Sequence, residues 1–232
     1  ETPPTDAPPS AVVMNAPTGA VGDRAQTYLF APEAGWLLIE ADLSADDRAA
    51  DLRLDGETFW RGGVSGDLSL RLPVSVAVPG YHTLTLAVLP PCPAQIPAGL
   101  TCRSLDIRHW SLGGEDGAGV IGDTQTEQIA FGDDVRLADA YWPTQARAGE
   151  PLEVWLSWRF GQGRSADDVR FVPLLDEAGM MAAQADVSLG LLPAGTRLDE
   201  AVPVDLPSSL PPGRYELYSG WYRFPDLVRL PV

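Results

Sequence analysis

Two segments of the chain carry the same local pattern, a Pro-Gly pair followed by a run in which every second side chain is apolar. The first begins at Pro79-Gly80 and the second at Pro212-Gly213. A Pro-Gly pair favours a turn, and alternation with a period of two is typical of a strand that buries one face. The repeated pattern therefore predicts two β units in tandem, while it points to no reaction.

The remaining sequence also favours β structure. Alternating apolar runs follow one another at short spacing, as in residues 68–72 and 152–160, whereas helical periodicity is almost absent. The 22 prolines and 23 glycines oppose long helices. We therefore expect an all-β protein.

The length of 232 residues accommodates two β-sandwich domains of about 100 residues each. We predict a jelly-roll-like β-sandwich over residues 21–113 and an immunoglobulin-like β-sandwich over residues 129–232. Residues 1–20 hold five prolines and are expected to form a linker or arm. Residues 114–128, which begin in a stretch rich in glycine and charge, are expected to form a second linker.

The charge of the chain excludes several classes of partner. A formal net charge of −16 repels nucleic-acid phosphates and anionic lipids, so we expect neither as a partner. The sequence contains no lysine, which excludes Schiff-base chemistry and a P-loop lysine. No apolar run reaches the length of a membrane span, so no direct membrane insertion of this segment is predicted.

The two cysteines, Cys92 and Cys102, lie in a loop rich in proline and glycine between two strand-like runs. We predict that they form a disulfide, with two free thiols as the alternative. A zinc site would need further ligands, and the only histidines are His82 and His109. A disulfide implies an oxidising compartment, so we expect an extracytoplasmic protein that is secreted, periplasmic or on the cell surface.

Pairs of acidic residues are the first candidates for catalysis, because glycosidases use two carboxylates. The pairs are Asp46-Asp47, Asp55 with Glu57, Glu115-Asp116, Asp133-Asp134 and Asp167-Asp168. Nearly all lie beside glycine, alanine or serine, where aspartate commonly caps a turn. We expect no catalytic residue and no enzyme activity. We also expect no cofactor, although a structural calcium ion on the loops of residues 42–55 or near Asp123 stays open.

Aromatic residues are the candidates for ligand binding, because a sugar ring can stack on an indole or a phenol. The candidates are Trp60, Trp155, Tyr218 and Tyr222. Trp60 follows the Asp55-Gly56 turn and is interpreted as a loop platform. The other three lie opposite the apolar parity of their strands and are expected to be exposed. The alternative is that these aromatic residues seal a joint between the two domains.

Residues 129–232 carry several motifs that resemble a known family. These motifs are Phe131-Gly132-Asp133-Asp134-Val135-Arg136-Leu137, Gly149-Glu150-Pro151-Leu152, Ala183-Gln184-Ala185-Asp186, Leu210-Pro211-Pro212-Gly213-Arg214-Tyr215 and Arg229-Leu230-Pro231-Val232. The segment resembles the C-terminal extracytoplasmic β-sandwich of bacterial polytopic glycosyltransferases of the protein-mannosyltransferase type. The resemblance implies a location and a neighbouring enzyme, and it supplies no catalytic residue.

Residues 51–56 and 79–86 resemble parts of a jelly roll of the carbohydrate-binding-module kind. Together these patterns lead to a first hypothesis, a non-catalytic extracytoplasmic accessory or recognition module. Its partner would be a glycan or a cell-surface protein, near a membrane glycosyltransferase. The alternative is a structural cell-surface or filament subunit that self-associates through its N-terminal arm and strand edges. A calcium-dependent hydrolase ranks below both.

Overall fold

The computed structural model describes residues 12–14, 17–92, 102, 104–112, 128–188 and 190–232. Their regular structure consists of β-strands alone, which confirms the all-β prediction. None of these residues belongs to a helix long and apolar enough to cross a bilayer. The strands are β1 Val12–Met14, β2 Gly19–Val21, β3 Arg24–Ala31, β4 Gly35–Leu54, β5 Glu57–Val76, β6 Gly80–Leu89, β7 Leu105–Leu112, β8 Ile129–Phe131, β9 Val135–Tyr141, β10 Pro151–Phe160, β11 Asp168–Leu175, β12 Met181–Ser188, β13 Arg197–Asp205, β14 Glu216–Leu217, β15 Gly220–Arg223 and β16 Val228–Arg229.

The chain divides into two compact units between Asp123 and Thr124. This point lies inside the predicted linker over residues 114–128, most of which is outside the described residues. The predicted arm over residues 1–20 needs a correction, because it contains strands. Strand β1 pairs with β3, and β2 pairs with β7, so backbone hydrogen bonds bring both segments into the first sheet.

The first unit is organised around the hairpin of β4 and β5, whose strands have 20 residues each. The predicted Asp55-Gly56 turn joins them, with φ angles of 50° and 86°. Two positive φ angles define a two-residue hairpin turn whose twist matches that of the strands, and Asp-Gly is a preferred pair for it.

All strands of the first unit belong to one seven-stranded sheet, and β4 changes its neighbour along its length. The first half of β4 pairs with β7 and the second half with β6, with a register irregularity between Ala45 and Arg48. The core-facing positions change from odd to even across it, from Leu43 to Leu52. Asp47, at the bend, has φ 58°. The sequence suggested separate short strands here, because Asp46-Asp47 has the composition of a loop.

The second unit consists of two packed sheets. One has the order β13-β10-β9-β8, and the other has the order β12-β11-β15-β16 with β14 also paired to β11. The even positions of β10 are buried in the core, as their alternation predicted. Trp158 of β10 packs edge-on against Trp221 of β15, with ring centroids 5.3 Å apart. The proline-containing strand β13 is an edge strand of its sheet, where a missing backbone N–H is tolerated.

A buried ion pair connects the two sheets of the second unit. Arg170 Nε on β11 lies 2.6 Å from Glu200 Oε1 on β13, and Arg170 is 1% exposed. Trp158 Nε1 donates a second hydrogen bond to the same carboxylate at 2.9 Å. Burial raises the pKa of Glu200 and lowers that of Arg170, while their mutual attraction opposes both shifts.

Cys92 and Cys102 form the predicted disulfide, with a Cα–Cα distance of 5.7 Å. The backbone N–H of Cys92 donates to Gly22 O at 2.7 Å, which fixes one end of the disulfide loop to the segment between β2 and β3. The bond favours an oxidising, non-cytoplasmic environment.

Candidate functional site

Trp60 does not form a loop platform. It lies within β5, is half-buried and packs against the core of the first unit. Its indole covers Gly62, where an added Cβ would lie 2.5 Å from Trp60 Cζ2. The platform interpretation is therefore wrong, because β5 starts directly after the hairpin turn and pairs Trp60 with the core residue Leu52.

Trp155 lies on the face of β10 opposite the core, as its parity predicted, but only 4% of it is exposed. Its ring packs against Tyr141 with centroids 5.0 Å apart, and its Nε1 donates to Glu153 Oε1 at 3.1 Å. The expectation of exposure is wrong because this face is itself covered. Ser157 and Asp199 on the same face are 0% and 2% exposed.

Tyr218 and Tyr222 lie on one face of a single sheet. Tyr218 is 49% exposed, and Tyr222 is half-buried. They follow β14 and belong to β15 respectively, and both of these strands pair with β11. Residues 218, 220 and 222 point to the same side because side chains alternate along an extended chain. The two predicted tyrosines therefore share the outer face of the five-stranded sheet.

Phe171 occupies the centre of this face. It pairs in register with Gly220, and a Cβ added at Gly220 would lie 2.6 Å from Phe171 Cζ. The glycine thus leaves space for the phenyl ring between the two tyrosines. The Phe171 and Tyr222 ring centroids are 5.8 Å apart, and the guanidinium of Arg229 lies 5.2 Å from the Phe171 centroid.

Polar side chains complete the face. Gln184 and Asp186 project from β12 beside Phe171, and the Gln184 amide donates to Asp186 Oδ2. The Tyr218 hydroxyl donates to Glu216 Oε2 at 2.6 Å. We call the set Phe171, Gln184, Asp186, Tyr218, Tyr222 and Arg229 the tyrosine face.

Both phenols of the tyrosine face stay protonated over the physiological range. The hydrogen bond and the charge of Glu216 raise the pKa of Tyr218. Burial, together with the charge and hydrogen bond of Asp186, raises the pKa of Tyr222. Each hydroxyl is therefore a neutral hydrogen-bonding group beside an acceptor.

A surface depression of about 410 Å³ adjoins the face, and Phe171, Gln184, Tyr218, Gly220 and Arg229 contribute to its lining. It combines aromatic rings with an amide and a guanidinium. This mixture suits a ligand with both apolar and hydroxylated surfaces. The structure thus places Tyr218 and Tyr222 on the same face of one sheet and leaves Trp60 and Trp155 elsewhere.

The sequence interpretation missed Phe171, Gln184 and Arg229. One signal could have found Phe171. Its strand alternates, and the even positions Arg170, Val172 and Leu174 are buried, so residue 171 belongs to the outer face. Nothing in the sequence pairs Phe171 with Gly220, because that register depends on the sheet order.

Three of the acidic pairs within the described residues include a carboxylate that has a partner in the structure. Asp55 accepts from the backbone N–H of Thr83 at 2.8 Å and contacts His82 at 2.7 Å. Asp134 pairs with Arg164, and Asp168 accepts from Ser165 N at 3.0 Å. Glu115-Asp116 lies outside the described residues. In the part of the chain that the structure describes, no three His, Cys, Asp or Glu residues are grouped to hold a metal ion.

Comparisons with known proteins identify no family. No protein-family model and no curated protein matches the chain. A β-glucuronidase of glycoside hydrolase family 2 matches with a TM-score of 0.31 and 7% identity, over 93% of this chain and 25% of that one. The Bacteroides uniformis β-glucuronidase matches with a TM-score of 0.27 and 12% identity, over 89% and 25%.

A family 2 glycosyl hydrolase from Bacteroides cellulosilyticus matches with a TM-score of 0.29 and 11% identity, over 99% of this chain and 29% of that one. The chain thus spans 25–29% of the length of these three structures. We draw no functional argument from similarities at these TM-scores.

Proposed function

We propose that this chain is a non-catalytic extracytoplasmic recognition module that binds glycans through the tyrosine face. The observation that carries the proposal is the arrangement of Tyr218 and Tyr222 around Phe171 on the outer surface of a sheet. Aromatic groups placed on paired strands are held rigidly, which lowers the entropic cost of binding.

The dimensions of the face favour an extended ligand. Tyr222 lies four positions after Tyr218, which corresponds to roughly 13 Å along a strand at about 3.3 Å per residue. The rings offer apolar surface to the C–H faces of sugars, while Gln184 and Asp186 offer hydrogen bonds to hydroxyl groups. The net charge of −16 favours a neutral or amine-bearing oligosaccharide over a polyanion.

Two further features support an extracytoplasmic location of the module and its association with a membrane enzyme. The disulfide fits an oxidising compartment. Residues 129–232, which contain the whole tyrosine face, resemble the extracytoplasmic tail of protein-mannosyltransferase-type enzymes. In this proposal the module holds a glycan near such a membrane glycosyltransferase.

The proposal is tested by screening the purified chain on a glycan array and measuring the affinity of the best ligand by calorimetry. We expect Tyr218→Ala and Tyr222→Ala each to weaken binding about tenfold or more, which is about 1.4 kcal/mol. Gly220→Ala should weaken it as strongly while both tyrosines remain, because the new Cβ displaces the Phe171 ring.

Leu191→Ala is the control, because Leu191 is 82% exposed in the same unit and lies outside the face. It should leave the affinity unchanged. An array without any bound glycan, or binding that survives the loss of both tyrosines, would refute the proposal.

A further inference from the structure

A second and larger cavity lies at one end of the second sandwich. Its volume is about 750 Å³. The lining comes from the segment after β9, from the start of β10, from the end of β11 and from the connection between β13 and β14. It shares no residue with the tyrosine face. Its chemistry is different as well.

The floor of this cavity is aliphatic. Leu152, Leu174 and Leu206 contribute to it and belong to the core of the unit, each with 6% exposure. Leu210 and Leu217 are partly buried against the same core. The cavity therefore opens directly onto the hydrophobic interior, a surface that a globular protein normally covers.

Two aromatic residues stand at the sides of the cavity. Trp142 and Tyr215 are half-buried and pack against the core. The Tyr215 hydroxyl donates to Pro211 O at 2.7 Å, which anchors the ring and satisfies its polar group within the protein. The hydroxyl is thus already paired, and the walls add mainly apolar surface.

The rim carries a single charged residue, Arg214, and no acidic one. This is unusual in a chain with 32 acidic and 16 basic residues. Arg214 is exposed and has no hydrogen-bond or ion-pair partner in the part of the chain that the structure describes. Other arginines are paired, such as Arg61 with Asp51 and Arg164 with Asp134.

We propose that this cavity binds one aliphatic chain that carries an anionic head group. The chain displaces water from the leucine floor, which is favourable in proportion to the apolar area removed from water. The head group pairs with Arg214 at the rim. A sugar does not suit the same floor, because buried hydroxyl groups would lack partners there.

The test uses calorimetry with dodecanoate and dodecyl phosphate, each below its micelle concentration, and with dodecanol below its solubility limit. We expect one bound molecule per chain and similar dissociation constants for the two anions. Dodecanol should bind about three- to fivefold more weakly, the range expected for one exposed ion pair. Decanoate should bind roughly 15-fold more weakly than dodecanoate, because it buries two fewer methylene groups.

Variants locate the ligand. Ala148→Phe fills the cavity from an exposed rim position and should abolish binding without changing the melting temperature. If this variant fails to fold, Thr144→Trp fills it from another exposed position. Arg214→Ala should remove the difference between dodecanoate and dodecanol, whereas Arg24→Ala, an exposed arginine of the first unit, should not.

Several outcomes would overturn the proposal. These are no binding of any of the amphiphiles, equal affinity for dodecanol and dodecanoate, and undiminished affinity in the folded cavity-filling variants. A further arm uses vesicles of an anionic phospholipid to separate a membrane source from a free amphiphile. Binding to vesicles without binding to free dodecanoate or dodecyl phosphate would show a surface interaction and would also overturn it.

Discussion

The carboxylate of Asp51 shows how a single residue can stabilise the first unit. Its side chain is fully buried, with Arg61 Nε 2.5 Å from Oδ1 and Arg53 Nη2 2.9 Å from Oδ2. Burial alone would raise the pKa of Asp51, but the hydrogen bonds from Arg61 and Arg53 outweigh it and hold the pKa below its ordinary value.

We predict that Asp51→Asn lowers the free energy of unfolding of the first unit by about 2–3 kcal/mol at neutral pH. Breaking a buried pair costs about 3–5 kcal/mol, and the partial exposure of both arginines reduces this. Urea unfolding of the variant and the parent measures the difference. Asp23→Asn, at an exposed position, is the matched control and should change little.

The ion pairs of Asp51 with Arg61 and Arg53 also predict that stability depends on pH. Because the folded-state pKa of Asp51 lies below the unfolded one, its stabilisation is complete above the ordinary aspartate pKa and is lost as the pH falls through the folded value. The difference in the free energy of unfolding between the parent and Asp51→Asn should therefore become smaller below about pH 4. A gap that stays constant down to pH 2 would contradict the assignment.

Individual residues differed in how well the sequence predicted them. The Asp55-Gly56 turn and the Cys92–Cys102 pair were predicted, because each depends on local chemistry and short spacing. The burial of Trp155 was not, because it depends on what covers its face of the sheet. The alternation of apolar residues shows which side chains share one face of a strand, but it does not show whether that face is exposed to solvent.

At the level of elements, the long strand β4 was the main surprise. Its first half pairs with β7 and its second half with β6, and Asp47 at the bend adopts a positive φ that strains most side chains. A bulge of this kind shifts the alternation of buried and outward-facing side chains by one residue. The sequence pattern of one bent strand is therefore the same as that of two strands joined by a loop.

Substitution of Asp47 tests this bend. We predict that Asp47→Gly raises the free energy of unfolding of the first unit by up to about 1 kcal/mol, because glycine adopts a positive φ without strain. Asp47→Val should lower it by about 1–2 kcal/mol. Ala49→Val is the control, because Ala49 is exposed on the same strand and has no positive φ.

Chemical denaturation at one temperature would rank these three variants. If Asp47→Val and Ala49→Val proved equally stable, the left-handed conformation of the bend would be wrong.

The molecule as a whole consists of two units with separate hydrophobic cores. The division into two units was predictable, because the residues of each core occur in the sequence as alternating apolar runs. The order of strands within the sheets was not, because β1 and β2 come from residues whose composition resembles a linker. The N-terminal segment that could join subunits in a filament pairs within its own chain at β1.

Reduction of the disulfide should affect only one unit. The bond closes a loop with a sequence separation of 10 and lies in the first unit. We expect reduction to lower the free energy of unfolding of that unit by roughly 3 kcal/mol, from the loop-closure entropy. Amide hydrogen exchange with and without a phosphine reductant measures it strand by strand.

Exchange should accelerate in β2 and β6 but remain unchanged in β10 and β11. A double Cys92→Ala, Cys102→Ala variant should reproduce the reduced pattern. Faster exchange in all four strands would show that the two units unfold together.

Gly220 has a consequence for recognising relatives of this protein by function. The aromatic platform exists because position 220 lacks a side chain, so Phe171 can rest against bare backbone. A homologue that keeps both tyrosines but has a larger residue at position 220 would lose the platform. Inheritance of the binding surface should therefore be traced through this glycine together with Phe171, and not through the tyrosines alone.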